Sequence, residues 1–327
     1  MEMQMPCAVL VGAVLVGAIV TPGLASAQSY AEVAEWPMPA HSVAGTPTAW
    51  NFGQVVAVAT GGDGDILVLH RGAHAILAFD ADGRFVRSMG AGLFSHGKVA
   101  GVGEDRRSPT GSRYTAVYGP AGCHACGAHA IRVDPDGYIW VVDAPGHIVY
   151  KLTAGGDVLM RLGTKDVSGD DRHTFNLPTD VAFAPTGDVY VSDGYGNARV
   201  VKFSSDGQYI LEWGSRGTGP GEFGLPHGVG VDAQGRVYVV DRDNRRVQVF
   251  DADGGFLNQW TDLDGVQTVF VTDDQQIWTG GTLRNLDGSS AAELPSGAGG
   301  HGMTVANDGG VFVAQLSGRV QKFVKTR

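Results

Sequence analysis

The sequence predicts an all-β fold, a six-bladed β-propeller. A unit of short alternating strands recurs along the chain, glycine is abundant at 50 residues against only 18% charged residues, and 327 residues suit one large all-β domain. Four copies are plain: Val55 to Gly90, Ile131 to Gly163, Val181 to Gly214 and Val229 to Trp260. Two weaker copies, Val269 to Leu294 and Met303 to Val324, bring the number to six. Within a copy, apolar and polar residues alternate, as in Val229 and Val231 followed by Val237 and Val239, and the turns are of D-x-x-G or D-x-D-G type. Four-stranded units at a spacing of roughly 40 to 50 residues describe propeller blades, whereas a parallel β-helix needs shorter and more uniform coils.

Outside the repeat, Ala8 to Val20 is an apolar run followed by Pro22-Gly23 and then Ala25-Ser26-Ala27, which reads as a leader cleaved after Ala27. The run is shorter than the roughly 20 apolar residues of a membrane anchor, so no span is expected after leader removal and the protein is expected to be periplasmic or secreted. Residues 28–54 are expected to supply a strand that closes the ring with the last blade. Residues 55–327 form the propeller, with an insertion at about 90–128.

Leader removal takes away one acid and no base, leaving a net charge of about −9. This balance argues against nucleic acid as a partner and leaves a small molecule, a peptide or another protein. The insertion carries Cys123 and Cys126 in GCHACGAH, a spacing open to a short disulfide, a second metal site or a redox pair. Tyr114, Tyr118 and Phe94 are candidates for the wall of a substrate pocket.

The repeat allows one position to be compared across blades. The glycine of the first turn serves as the mark: Gly64, Gly137, Gly187, Gly235 and Gly309, with Gln275 in its place in blade 5. Eight positions before the mark stand Val56, His129, Thr179, His227, Gln267 and His301, so histidine occupies this slot in alternate blades. Three imidazoles converging on the channel mouth with one coordination position left open are a catalytic zinc arrangement. Seven positions after the mark stand Arg71 and Arg242, and blade 3 follows the same slot with Tyr195. In an antiparallel sheet the first strand begins where the second ends, which brings these residues to the same mouth.

The stretches GQVVAVA, LHRG, GAHAI, PTDVAF, VSDGYGNARVVKF, FGLPHGVGV, VDRDNRRVQVF and GGHGMTV resemble the peptidyl-α-hydroxyglycine α-amidating lyases, zinc-dependent propellers of NHL-type repeats. The resemblance runs from about Gly53 to Lys325. It implies that His129, His227 and His301 are zinc ligands, Tyr195 the catalytic tyrosine, and Arg71 and Arg242 active-site arginines. The implied reaction splits a hydroxyglycine-terminated peptide, or a similar N-acyl carbinolamide, into an amide and glyoxylate. Tyr195 is the implied proton acceptor, provided nearby cations draw its pKa down from about 10. Either arginine can offer a planar fork to the substrate carboxylate. The resemblance further implies a structural calcium bound through the backbone carbonyls of Val58 and Ile131 and an aspartate directly after the third histidine. That residue is Gly302 here, so calcium is expected to be absent or differently bound. Two other classes compete with the lyase: a non-catalytic propeller that binds a protein or glycan, and a metal-dependent hydrolase or lactonase.

Overall fold

The computed structural model describes residues 28–38, 40–41, 47–48, 50, 52–72, 74–95, 127–295 and 298–326. Residues 1–27, read from the sequence as a leader, and Cys123, Cys126, Tyr114 and Tyr118 lie outside the described residues. Six four-stranded antiparallel sheets follow one another along the chain. Their innermost strands are Val55–Thr60, Ala128–Val133, Pro178–Phe183, Pro226–Val231, Val269–Val271 and Gly302–Val305. Among the described residues the only helix is a single 3-10 turn, Arg242–Asn244, and no helix is long and apolar enough to cross a membrane.

The sixth blade is composite. Its first three strands come from the end of the chain, and its outer strand is Ser29–Val33, antiparallel to Arg319–Thr326 with Ser29 opposite Thr326. Joining the two ends of the repeat in one sheet makes opening of the ring cost a whole strand pairing.

Alternation along each strand sends side chains to both faces of a blade, so both faces must be covered. The covering is supplied by the neighbouring blades, and the buried apolar residues form six clusters, one at each blade-to-blade contact. Trp140 and Val149 of blade 2, for example, pack on Val181 and Val201 of blade 3. Phe94 belongs to the cluster between blades 1 and 2 and is 2% exposed, so it is a packing residue and not part of a substrate pocket wall.

The marked turn glycines carry the conformation that the repeat requires. Gly64, Gly137, Gly187, Gly235 and Gly309 have φ between 79° and 88°, and Gln275 adopts 61° in blade 5. At Gly309 nothing lies within 4 Å of where a Cβ would stand, so only backbone strain opposes a side chain there. Gly309→Ala is therefore expected to lower stability by about 1 to 2 kcal/mol. Urea unfolding checks this as a lower midpoint at unchanged slope, and an unchanged midpoint would contradict the assignment of the turn.

Candidate metal centre

The histidine slot has a structural cause. In blades 1 to 4 the pairing of the first two strands slips by one residue at this place: between Val55 and Ala57, Ala128 and Ala130, Pro178 and Asp180, and Pro226 and Gly228. The skipped residues are Val56, His129, Thr179 and His227. A β-bulge leaves its extra residue out of the ladder and re-aims its side chain. In blade 6 the amide of His301 donates to the Ala314 carbonyl at 2.9 Å while Gly302 is the residue paired with Ala314, so two residues again face one.

All three imidazoles are buried, and the donor nitrogens of His129, His227 and His301 lie within 4.8 Å of one another. Each Nδ1 lies against the main-chain carbonyl of the slot residue in the next blade. His129 meets Thr179 O at 2.6 Å, His227 meets Gln267 O at 2.7 Å and His301 meets Val56 O at 2.7 Å. A carbonyl only accepts, so Nδ1 carries the proton and donates it. Every Nε2 is thereby left with a lone pair, which fixes the tautomer that a metal ligand needs.

Tyr195 follows the second strand of blade 3. Its amide donates to Leu177 O at 3.3 Å, and the next amide, of Gly196, donates to Asn176 O at 2.8 Å. Its hydroxyl stands 3.1 Å from His129 Nε2 and 3.0 Å from His227 Nε2. One hydroxyl proton serves one of these lone pairs at a time. The Arg242 guanidinium lies over the Tyr195 ring, 5.6 Å from its centroid, and its Nε donates to Asp243 Oδ1 at 3.3 Å. Arg71 donates from Nε to Ala128 O at 3.3 Å, directly before His129, and from Nη1 to Gln54 Oε1 at 2.6 Å. The six residues singled out by the repeat are thus gathered at one mouth of the channel.

Clamps behind the site hold the incoming chain. Asp241 Oδ1 accepts from the amides of Gly224 and Leu225 at 2.8 and 3.0 Å, just ahead of His227, and its Oδ2 accepts from Arg246 Nε at 2.9 Å. Asp193 does the same for Asn176 and Arg199, at 2.9 and 3.0 Å. Blade 6 has Gln315 in this position, bonded to Gln321 Oε1 at 2.8 Å.

Electrostatics keep the imidazoles neutral. Burial, followed by the charges of His301 and Arg71, holds His129 well below the usual imidazole range. Burial and Arg242 do the same for His227, and burial pushes His301 down to about 4 against the opposing hydrogen bond to Val56. Three neutral imidazoles with convergent lone pairs and carbonyl-fixed tautomers fit a transition metal of the kind that imidazole binds. Two guanidiniums beside such a cation leave the mouth strongly positive, which favours an anionic group on whatever binds there.

The carboxylate ligand implied by the resemblance has no place here. A Cβ on Gly302 would stand 2.7 Å from Ala57 Cα and 3.0 Å from Val56 O, so that position has no room for a carboxylate. The cavity of about 10 Å³ that contains Val58 and Ile131 includes one carboxylate, Asp180, and both its oxygens are engaged by Arg132 at 3.0 and 2.6 Å. Sequence reasoning missed Arg132, Asp180, Gln54 and Asp243, and it passed over the slot carbonyls. The first two left a signal: charges inside the innermost strands, in IRV and TDV, where the other blades are uncharged.

A family model described as a 6-bladed beta-propeller matches residues 170–288. The chain is 35% identical over 245 residues to peptidyl-glycine alpha-amidating monooxygenase A of Xenopus laevis, covering 72% of this chain and 25% of that protein. It therefore spans about a quarter of the length of that relative. It is 28% identical over 291 residues to the probable peptidyl-alpha-hydroxyglycine alpha-amidating lyase pgal-1 of Caenorhabditis elegans, covering 81% and 80% of the two chains. NHL repeat-containing protein 3 of Homo sapiens is 32% identical over 216 residues, 57% of this chain and 62% of that one. Among solved structures, virginiamycin B lyase from Staphylococcus aureus superposes with a TM-score of 0.55 at 8% identity over 84% and 96% of the chains, a likeness of fold alone. The protein is a six-bladed β-propeller of NHL type. Within that class its sequence is similar to proteins named as peptidyl-α-hydroxyglycine α-amidating lyases.

The geometry separates side chain from main chain as the working part of each slot. His227→Ala is expected to abolish stoichiometric binding of a divalent transition metal, whereas Gln267→Ala is expected to retain it, because the Gln267 acceptor is its carbonyl. Elemental analysis of the dialysed proteins checks both. Metal retained at one ion per chain in His227→Ala would contradict the three-histidine centre.

Proposed function

We propose that this protein is a zinc-dependent carbon–nitrogen lyase, secreted or periplasmic, that cleaves a peptidyl-α-hydroxyglycine or a similar N-acyl carbinolamide to an amide and glyoxylate. The observation that carries this reading is the Tyr195 hydroxyl set between two neutral histidine nitrogens, with two guanidiniums at the same mouth. The sequence similarity to the probable amidating lyase of Caenorhabditis elegans also supports it.

His129, His227 and His301 would hold the zinc through Nε2. When bound, zinc supplies a Lewis acid that polarises the substrate hydroxyl. The rest of the chemistry falls to the chain. Arg71 or Arg242 offers paired N–H donors to the substrate carboxylate and so fixes the hydroxyl-bearing carbon. As the C–N bond breaks and a C=O bond forms, the Tyr195 oxygen accepts the substrate hydroxyl proton while its own hydroxyl proton passes to the departing amide nitrogen. No oxidant or reductant is consumed. Positive charge at the mouth matches an anionic substrate, and burial of the histidines keeps them available as neutral ligands.

Glyoxylate release from an α-hydroxyhippurate-type substrate by the zinc-loaded protein tests this reading. Wild type is expected to release glyoxylate, and Tyr195→Phe is expected to keep its zinc while kcat falls by about 100-fold or more. Zinc binding without release would overturn the substrate assignment. Full activity in Tyr195→Phe would remove the tyrosine from the proton path. No release by the wild type, together with partner binding that survives loss of all three histidines, would favour a non-catalytic propeller.

A further inference from the structure

One pleat below the histidine slot, the channel contains a partly buried ion pair that the proposed chemistry does not use. Arg132, on the same strand as His129, points into the channel and meets Asp180 of blade 3 through two parallel bonds, Nε to Oδ1 at 3.0 Å and Nη2 to Oδ2 at 2.6 Å. Their side chains are 14% and 5% exposed. The guanidinium also donates to the Met303 carbonyl of blade 6 at 3.4 Å, and to the Val269 carbonyl and Thr268 hydroxyl of blade 5 at 3.1 and 3.3 Å. Asp180 Oδ2 in turn accepts from the amide of Val229, on the strand of His227, at 3.3 Å. The pair therefore ties together blades 2 to 6.

The repeat shows what this place is. Val269 and Met303 stand six positions before their turn marks, as do Val58 and Ile131, so all four belong to one ring of channel-wall residues. Two carbonyls of that ring already face a cation. Room for it comes from the other blades: at the positions equivalent to Arg132, three blades carry Ala59, Ala182 and Gly230, and at those equivalent to Asp180 four carry Ala57, Ala130, Gly228 and Gly302. A second cation within this ring would meet the guanidinium charge at close range, where like charges repel.

We propose that the Arg132–Asp180 pair is a built-in substitute for a structural metal ion: the guanidinium supplies the cation that binds the channel carbonyls together, and the protein takes no calcium. The proposal rests on the lyase reading only in treating the histidines above it as a separate metal centre. Its readouts are calcium content and melting temperature, so loss of the lyase assignment would leave it standing.

The test uses the zinc-loaded full chain at about 1 mM calcium, a concentration that fills weak extracellular calcium sites. Wild type is expected to retain no calcium after dialysis and to melt at the same temperature with and without it. Arg132→Ala removes the cation and leaves a carboxylate facing ring carbonyls, an oxygen-donor set of the kind calcium selects. It is expected to gain a calcium-dependent rise in melting temperature that magnesium does not reproduce. If Arg132→Ala folds only when calcium is present, that is the same result. If it folds in neither condition, Arg132→Met, which keeps the volume without the charge, replaces it. Stoichiometric calcium in wild type, or a folded Arg132 variant indifferent to calcium, would overturn the proposal.

Discussion

Everything at this site depends on one hydrogen bond made three times. A residue squeezed out of the strand ladder at the channel mouth turns its imidazole toward the axis, and Nδ1–H donates to the carbonyl of the slot residue in the next blade. The bond fixes the ring, the tautomer and the direction of the remaining lone pair at once. It also links neighbouring blades, so the geometry of the centre follows the closure of the whole ring. A histidine in every blade would crowd the axis with six imidazoles. Alternation gives three ligands and three acceptors.

The remainder of the fold keeps that arrangement steady. Six apolar clusters set the spacing between blades. Buried aspartates at the ends of second strands hold the connectors that lead into the innermost strands of blades 3 and 4, and Ser29–Val33 closes the sheet of blade 6. Below the mouth the Arg132–Asp180 pair spans the channel. A largely desolvated ion pair gives little stability of its own, since desolvation offsets most of the attraction, but it is selective about geometry.

The propeller was legible because its physics is periodic: strand alternation and positive-φ turns recur, and a recurring feature can be read without knowing the fold. The histidines were legible for the same reason, since three of them share one offset in alternate blades. Their partners were not. Thr179, Gln267 and Val56 contribute carbonyls, which every residue has, so no residue type announces the role. Arg132 and Asp180 left a visible trace, a charge within an otherwise uncharged strand position, but each occurs in a single blade and a comparison of blades passes over a singular residue. The sequence already shows Gly302 where the resemblance implies an aspartate, but not the packing behind it: Ala57 of the neighbouring blade approaches too closely for a side chain there. Sequence alone gives no access to that distance.

Neutral imidazoles, a tyrosine oxygen and two guanidiniums together define a mouth that accepts a cation first and an anion second. The claim at the centre of this account is that the three Nε2 atoms bind one metal ion. X-ray absorption at the zinc edge of the metal-loaded protein tests it most directly. Three imidazole nitrogens at about 2.0 to 2.1 Å, with the outer-shell scattering of imidazole rings, are expected in a four-coordinate centre. A shell made of oxygen alone, or a zinc ion without imidazole scattering, would contradict it.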